Sequence, residues 1–187
     1  MYTYDELKAF TDHCSRCALS ATRNRPVMGR GNLKSPVMFV AEAPGQNEDR
    51  DGIPFTGPSG RVFDQLLESA GVKREDIYLT NLVKCHPPGN RDPLPEEQEA
   101  CILYLKHETI LLRPRIIVCL GRIAAQRIIS PGYRITREHG TFLYRKNTWL
   151  TAVYHPSAIL RDPGKMEEAR EDFRRIFEIG LSQSHWL

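Results

Sequence analysis

The chain alternates short apolar runs with longer segments in which apolar residues recur at helical spacing. The apolar runs lie at residues 37–41, 77–81, 115–120, 142–144 and 149–154, and each is short enough to be a strand. Helical segments begin near Thr3 and Ser59, and others cover about 95–112, 122–129 and 165–179. Strands that alternate with helices predict an α/β fold, a single-domain three-layer sandwich with a mostly parallel central sheet.

Residue types that favour helix starts mark three of these segments. Thr3 and Glu6 have the spacing of a capping box. Ser59 is placed to cap the next helix, whose apolar face ends at Gly71. Pro95 precedes two glutamates, as is common in a first helical turn.

Polar side chains follow several of the predicted strands. Glu42 comes after the first strand, Asn81 ends the second and His155 follows the last, while Phe55 lies in the long loop between residues 42 and 58. Each alone has an ordinary reading: a loop acid, a turn former, a surface histidine and a lid over the core. Ligands of such sheets bind beyond the carboxyl ends of the strands, so the combination favours a binding site there.

Four cysteines are placed as ligands rather than as core residues. Cys14 and Cys17 form a C-x-x-C pair in a polar stretch, and Cys85 and Cys101 flank a loop and a predicted helix. This set fits a tetrahedral metal centre, either zinc or an iron–sulfur cluster, and the alternative is scattered structural thiols. Cys119 lies inside an apolar strand and is expected in the core.

Composition describes an ordinary globular protein. The 187 residues suit one domain spanning 1–187, with 41% hydrophobic and 26% charged residues. No apolar run approaches the length needed to cross a bilayer, and no signal peptide is evident, so we expect a cytoplasmic protein without a membrane partner. The net charge of +3 permits a polyanionic partner.

Four segments resemble the motifs of the family 4 uracil-DNA glycosylases. They are AEAPGQNED at 41–49, GIPFTGPSG at 52–60, NLVKCHPPGNR at 81–91 and HPS at 155–157. Ala41 stands where that family usually has glycine, and Thr56 stands where it usually has valine. The resemblance extends from about Cys14 to the last helix, which is nearly the whole chain.

The resemblance implies an activity and a cofactor. Members of that family cleave the N-glycosidic bond of deoxyuridine in DNA and leave an abasic site, so the expected partner is uracil-containing DNA. They hold a 4Fe–4S cluster on four cysteines, here Cys14, Cys17, Cys85 and Cys101, of which an N-terminal segment of about 1–36 supplies the first two. From spacing alone, zinc remains the alternative.

The resemblance also suggests roles in substrate binding and catalysis. Phe55 would stack on the flipped uracil, Asn81 would bind its hydrogen-bonding edge, and His155 would stabilise the charge that develops on O2. Ala43 occupies the position where another glycosylase family orients water with an aspartate, and it cannot do so. Glu42 or Glu48 is then expected to position the water or stabilise the sugar cation, and a backbone carbonyl is a further alternative.

Basic residues beside these motifs are candidates for DNA contacts. We expect Arg61, Lys84 and Arg161 to bind DNA and Leu160 to fill the space left by the flipped base, although Leu160 also suits a core contact.

We expect the protein to be monomeric. Two alternatives remain: an abasic-DNA-trapping relative, whose extra basic loop has no counterpart here, and a non-enzymatic iron–sulfur regulatory protein.

Overall fold

A six-stranded sheet organises the chain in the computed structural model, which describes residues 2–181. The strands are β1 (Arg30–Gly31), β2 (Val37–Ala41), β3 (Tyr78–Asn81), β4 (Ile116–Leu120), β5 (Leu143–Arg145) and β6 (Thr148–Val153). The helices are α1 (Tyr4–Asp12), α2 (Gln46–Asp51), α3 (Pro58–Ser69), α4 (Pro95–Leu112), α5 (Arg122–Ile128), α6 (Ile135–Glu138), α7 (Pro156–Arg161) and α8 (Met166–Leu181). No helix within these described residues is long and apolar enough to cross a membrane.

The sheet has the strand order β1-β3-β2-β4-β6-β5. The four central strands are parallel, and the short strands β1 and β5 add antiparallel edges. The strand that follows β2 in the chain, β3, lies on one side of β2, and the next strand, β4, lies on the other side. The order of the strands therefore reverses beside β2, where parallel sheets form a crevice.

Alternate residues of the central strands face two separate helix layers. On one face Phe39 lies 5.2 Å from Phe63 of α3 and 5.4 Å from Phe173 of α8, measured between ring centroids. On the other face Met38 and Val40 belong to a core with residues of α4 and α5, such as Leu105. The predicted three-layer sandwich with a mostly parallel sheet is confirmed.

Several element boundaries differ from the sequence predictions. The helix α3 begins at Pro58 with Gly57 as its N-cap, so the prediction that Ser59 caps it is wrong. Proline suits the first helical position because its φ is already helical and its missing N–H has no intrahelical partner there. The six-residue helices α2 and α7 were not predicted, since so few residues carry no recognisable period. The capping box of Thr3 and Glu6 is confirmed.

Candidate active site and cysteine cavity

A cleft of about 620 Å³ opens at the carboxyl ends of the parallel strands. It is lined by segments that follow β2, β3, β4 and β6, so four separate parts of the chain contribute side chains. The residues from the sequence prediction that line it are Glu42, Ala43, Glu48, Phe55, Asn81, His155 and Arg161. The structure thus brings together residues that lie more than a hundred positions apart.

Asn81 is the last residue of β3 and only 1% exposed. Its register places it beside Ala41, and the amide of Leu82 donates to the carbonyl oxygen of Ala41 at 2.8 Å. Within residues 2–181, the side-chain oxygen Oδ1 of Asn81 is buried without a hydrogen-bond partner. A buried polar atom of this kind is costly unless a ligand or water satisfies it, so the cleft holds an acceptor ready for a donor.

Phe55 presents a fixed aromatic ring to the cleft. Its backbone is left-handed, with φ of 58°, and its ring centroid lies 5.1 Å from that of Phe63 and 5.6 Å from that of His155. Arg74 donates to the Phe55 carbonyl oxygen at 3.0 Å and to the Gly60 carbonyl oxygen at 3.1 Å. A Cβ at Gly60 would lie 1.9 Å from the Phe55 oxygen, so the tight loop requires glycine there.

His155 is held as a neutral hydrogen-bond donor. The backbone N–H of Ser157 donates to His155 Nδ1 at 3.1 Å, and the Ser157 hydroxyl lies 2.8 Å from the same nitrogen. Because Nδ1 accepts, a neutral imidazole carries its proton on Nε2. Burial, with a smaller effect of Arg161, lowers the pKa of His155 to about 4, so the ring is neutral near pH 7.

Glu42 lies in a group with Asp92 and Arg122. Burial and the nearby Asp92 carboxylate raise the pKa of Glu42 to about 7, while Arg122 acts in the opposite direction. Arg122 also pairs with Asp92 at 2.7 Å. The amide of Val83 donates to the Glu42 carbonyl oxygen at 3.1 Å, which ties the end of β2 to the segment after β3. Glu42 therefore changes protonation state in the physiological pH range.

Sequence reasoning missed Asp92 and Arg122, although one signal could have located the arginine. Arg122 follows Gly121 directly after β4, and therefore stands at the same sheet edge as Glu42 and His155. Asp92 offers no comparable signal, because it lies in an irregular loop before α4. Only the folded chain brings its carboxylate to Glu42.

Glu48 belongs to α2 and forms part of the cleft wall. Its Oε1 accepts a hydrogen bond from the backbone N–H of Gly57 at 3.3 Å. A Cβ at Gly45 would lie 2.7 Å from the other carboxylate oxygen, so glycine makes room for the acid. Its neighbour Asp49 is buried and accepts from the Asn24 amide at 3.0 Å, which gives that acid a structural role.

Cys14, Cys17, Cys85 and Cys101 all line one small cavity, and all are free thiols. Two donors are directed at their sulfur atoms: Arg23 Nη1 lies 3.0 Å from Cys85 Sγ, and the backbone N–H of Lys84 lies 3.3 Å from Cys101 Sγ. Such donors stabilise thiolates that bind a metal centre. The donor set therefore fits a thiolate-bound metal group. Cys119 lies apart in the core, as predicted.

The prediction that Lys84 binds DNA is wrong. Its side chain is 1% exposed and pairs with Glu108 at 2.7 Å inside the protein. Lysine is almost never fully buried unless it is paired, and its partner here comes from α4, far along the chain. The sequence around Lys84 shows no sign of that pairing.

The other three candidate DNA contacts are exposed. Arg161 lines the cleft, and Arg61 lies on the first turns of α3 outside the cleft lining. Leu160 is 46% exposed, whereas its neighbour Ile159 is 2% exposed and packs in the core. The apolar side chain that projects from this segment is therefore Leu160.

Comparison with known proteins agrees with this arrangement. Residues 28–178 match the family model of the uracil DNA glycosylase superfamily. A type-4 uracil-DNA glycosylase of Archaeoglobus fulgidus is 42% identical, over 96% of this chain and 94% of the relative. Proteins with the same name from Sulfurisphaera tokodaii and Thermotoga maritima are 35% and 38% identical, over 100% and 87% of this chain and 89% and 88% of theirs. The chain therefore belongs to the uracil-DNA glycosylase superfamily, and within it to the type-4 family.

Proposed function

We propose that this protein is a DNA repair glycosylase that excises uracil from DNA and leaves an abasic site. The observation that carries the proposal is the buried, unpartnered Oδ1 of Asn81 in a cleft that also holds an aromatic ring. Uracil presents an N3–H donor beside its O4 acceptor, and an asparagine amide complements both. The type-4 relatives carry the same activity in their names.

Recognition requires the deoxyuridine to leave the helical stack. In the proposed complex, uracil lies against the Phe55 ring, which cannot move away because Phe63 and His155 pack beside it. Asn81 Oδ1 accepts from N3–H, and its amide group donates to O4. Stacking supplies affinity for any pyrimidine, whereas the amide supplies the choice of base.

The chemical step breaks the bond between the sugar C1′ and uracil N1. The bonding electrons leave with uracil, so negative charge grows on O2 while the sugar becomes an oxocarbenium-like cation. His155 Nε2–H is proposed to donate to O2. A neutral imidazole suits this role because it already carries the Nε2 proton and need not be protonated first. A water molecule then attacks C1′, and the proton that it releases neutralises the uracil anion, so the products are free uracil and an abasic site.

Glu42 is the stronger candidate for assisting the sugar and water, because Glu48 is engaged by the Gly57 amide. Ionised Glu42 would stabilise the cation or orient the water. The adjacent Ala43 cannot orient water, because its methyl group forms no hydrogen bonds. The exposed residues Arg61 and Arg161 are proposed to bind phosphates, and Leu160 to occupy the vacated stack.

We expect the pH dependence of the excision rate to follow the ionisation of the Glu42 carboxyl group. If the ionised carboxylate is required, the single-turnover rate rises with pH below about 7 and levels above it, because a raised pKa keeps the acid neutral at lower pH. Asp92→Asn removes the neighbouring like charge and should move the rise to lower pH. Glu42→Gln should be slow and lack that rise; an unchanged profile in Glu42→Gln would contradict the assignment.

The four cysteines are proposed to hold a 4Fe–4S cluster. All four are free thiols that line one small cavity, and the type-4 family of the relatives favours a cluster over a single zinc ion. When bound, the cluster would cross-link the N-terminal segment of about 1–36 to the loop after β3 and to α4. Zinc is the alternative that metal analysis would reveal.

We expect the purified protein to be brown, and Cys85→Ser to lose the colour and the cluster iron. The variant should also unfold at a lower temperature, because Cys85 helps close a long loop between distant segments. Cys119→Ser is the matched control, since it changes a thiol outside the cavity and should keep the iron. Iron and sulfide analysis with visible absorbance measures the result. Zinc in place of iron in anaerobically prepared wild type would overturn the cluster.

One gel assay separates the candidate functions. Incubation with a uracil-containing oligonucleotide should yield alkali-labile sites at uracil. A covalent protein–DNA band would instead indicate the abasic-DNA-trapping alternative, and no change in the DNA would favour a non-enzymatic iron–sulfur protein.

We further propose that the protein acts as a monomer in the cytoplasm, where its thiols stay reduced.

A further inference from the structure

A buried ion pair lies directly behind the cleft at the end of β3. Lys84 and Glu108 are 1% and 0% exposed, and Lys84 Nζ lies 2.7 Å from Glu108 Oε2. Two charges withdrawn from water in this way are stable only when further hydrogen bonds satisfy them. Replacing a buried ion pair by well-packed hydrophobic residues is often neutral or even stabilising. Stability alone therefore does not explain why this pair is present.

Each donor of the Lys84 ammonium has an acceptor. Besides Glu108, Nζ donates to Thr80 Oγ1 and to the backbone carbonyl oxygen of Asn81, both at 2.7 Å. An ammonium has three donors, so all of them are used. Lys84 therefore contacts two consecutive residues at the end of β3: the side chain of Thr80 and the backbone of Asn81.

The carboxylate of Glu108 is equally constrained. Its Oε1 accepts from the Gly29 backbone amide at 3.1 Å, from the Tyr78 hydroxyl at 3.0 Å and from the Thr80 hydroxyl at 2.9 Å. A Cβ at Gly29 would lie 2.4 Å from Oε1, so the backbone there is shaped around the carboxylate. Because Glu108 belongs to the long helix α4, this helix fixes the position of the ammonium.

The Asn81 side chain depends on its backbone for orientation. Within the part of the chain that the structure describes, no hydrogen bond holds its buried Oδ1. The peptide unit of Asn81 places the Cα from which this side chain extends, and its carbonyl oxygen accepts from Lys84 Nζ. A small rotation of that peptide would displace the acceptor that uracil N3–H is proposed to meet.

We propose that Lys84 and Glu108 are positioning residues for uracil recognition: Glu108 fixes the Lys84 ammonium, which holds the Asn81 peptide so that Oδ1 meets uracil N3–H. This inference rests on the proposed function. It gives the lysine of the NLVKC segment a role in base recognition from inside the protein, in place of a contact with DNA.

The test is the double variant Lys84→Met/Glu108→Gln. It removes both charges together, avoids an unpaired buried charge and keeps a side-chain amide that accepts from Gly29 and Tyr78. We expect a folded protein with its cluster intact and a single-turnover uracil excision rate about a hundredfold lower, since a misplacement of about 1 Å costs that much. Inhibition by free uracil should weaken by about tenfold, the scale of one lost hydrogen bond.

Leu112→Ala is the matched control. Leu112 lies one turn further along α4 and is buried, and its apolar side chain forms no hydrogen bond to the network, so this variant lowers stability without removing a hydrogen bond to the Asn81 peptide. Assayed below both melting temperatures, it should keep the rate and uracil inhibition of wild type. A purely structural role for the ion pair predicts that both variants behave alike in these two measurements.

A folded double variant with wild-type rate and wild-type uracil inhibition overturns the inference and leaves the proposed function standing. Failure of the proposed function appears instead in the wild type, as absence of uracil release. Should Lys84→Met/Glu108→Gln not fold, Lys84→Gln/Glu108→Gln fills the same space with two amides and a donor one atom shorter. The same two measurements then decide the outcome, with an intermediate loss expected.

Discussion

Asn81→Asp should cut excision of uracil by roughly a hundredfold or more and weaken the preference for uracil over cytosine. The wild-type amide accepts from N3–H and donates to O4, whereas a carboxylate faces O4 with another acceptor, and an unmatched buried polar group costs about 1–3 kcal/mol or more. Cytosine presents a bare N3 and an amino group at these positions. A protonated aspartate donates to N3 and accepts from the amino group, so we expect weak cytosine cleavage in this variant.

Single-turnover cleavage of matched oligonucleotides carrying uracil or cytosine measures this result. A site built to bind one hydrogen-bonding edge can reject the mismatched base by roughly 10⁴-fold or more, so the wild-type ratio gives ample room for a decrease. Phe55→Ala is the control, because it removes stacking that both pyrimidines share and should slow cleavage without changing the ratio. Wild-type rate and discrimination in Asn81→Asp would show that another group reads the base.

His155→Ala should lower the single-turnover rate by roughly a hundredfold to a thousandfold, or about 2.7–4 kcal/mol, the usual effect of removing one preorganised oxyanion donor. Affinity for uracil should change far less, since the donor acts mainly on charge that develops during bond cleavage. Because burial lowers the pKa of His155 to about 4, the ring stays neutral above pH 5 and its titration adds no inflection near pH 7.

Ser157→Ala distinguishes the donor from its support. This change removes the hydroxyl near His155 Nδ1 but keeps the backbone N–H that fixes the tautomer, so the rate should fall only a few-fold. A His155→Ala rate within a few-fold of wild type would make the histidine structural and assign O2 to another donor. A pH inflection near 6.5 that disappears with His155 would contradict the neutral ring.

Local pattern was enough to predict strands β2 to β6, the main helices and the edge of the sheet that carries the cleft, whereas the two-residue strand β1 was missed. The runs at 37–41 and 116–120 are apolar on both faces because helices cover both sides of the sheet. Such an uninterrupted apolar run can be recognised in the sequence without knowing which residues are in contact. The parallel arrangement then places Glu42, Asn81 and His155 at one edge. The family resemblance was carried by short contiguous segments, and the comparisons confirm it.

Charge pairing was decided only by the tertiary structure. Lys84 was predicted to bind DNA, yet its side chain is buried in an ion pair with Glu108, which comes from another element. Asp92 and Arg122 reach Glu42 from separate segments, and the pKa of Glu42, raised by burial and then by Asp92, cannot be read from the sequence.

The sequence by itself determined the longer strands and helices and which residues stand at the sheet edge, because backbone periodicity and strand polarity are local properties. Tertiary structure alone decided which of those residues are charged, buried or held in one orientation. The free energy of a buried charge and the pKa values of Glu42 and His155 depend on burial and on neighbours that the chain brings close only after folding.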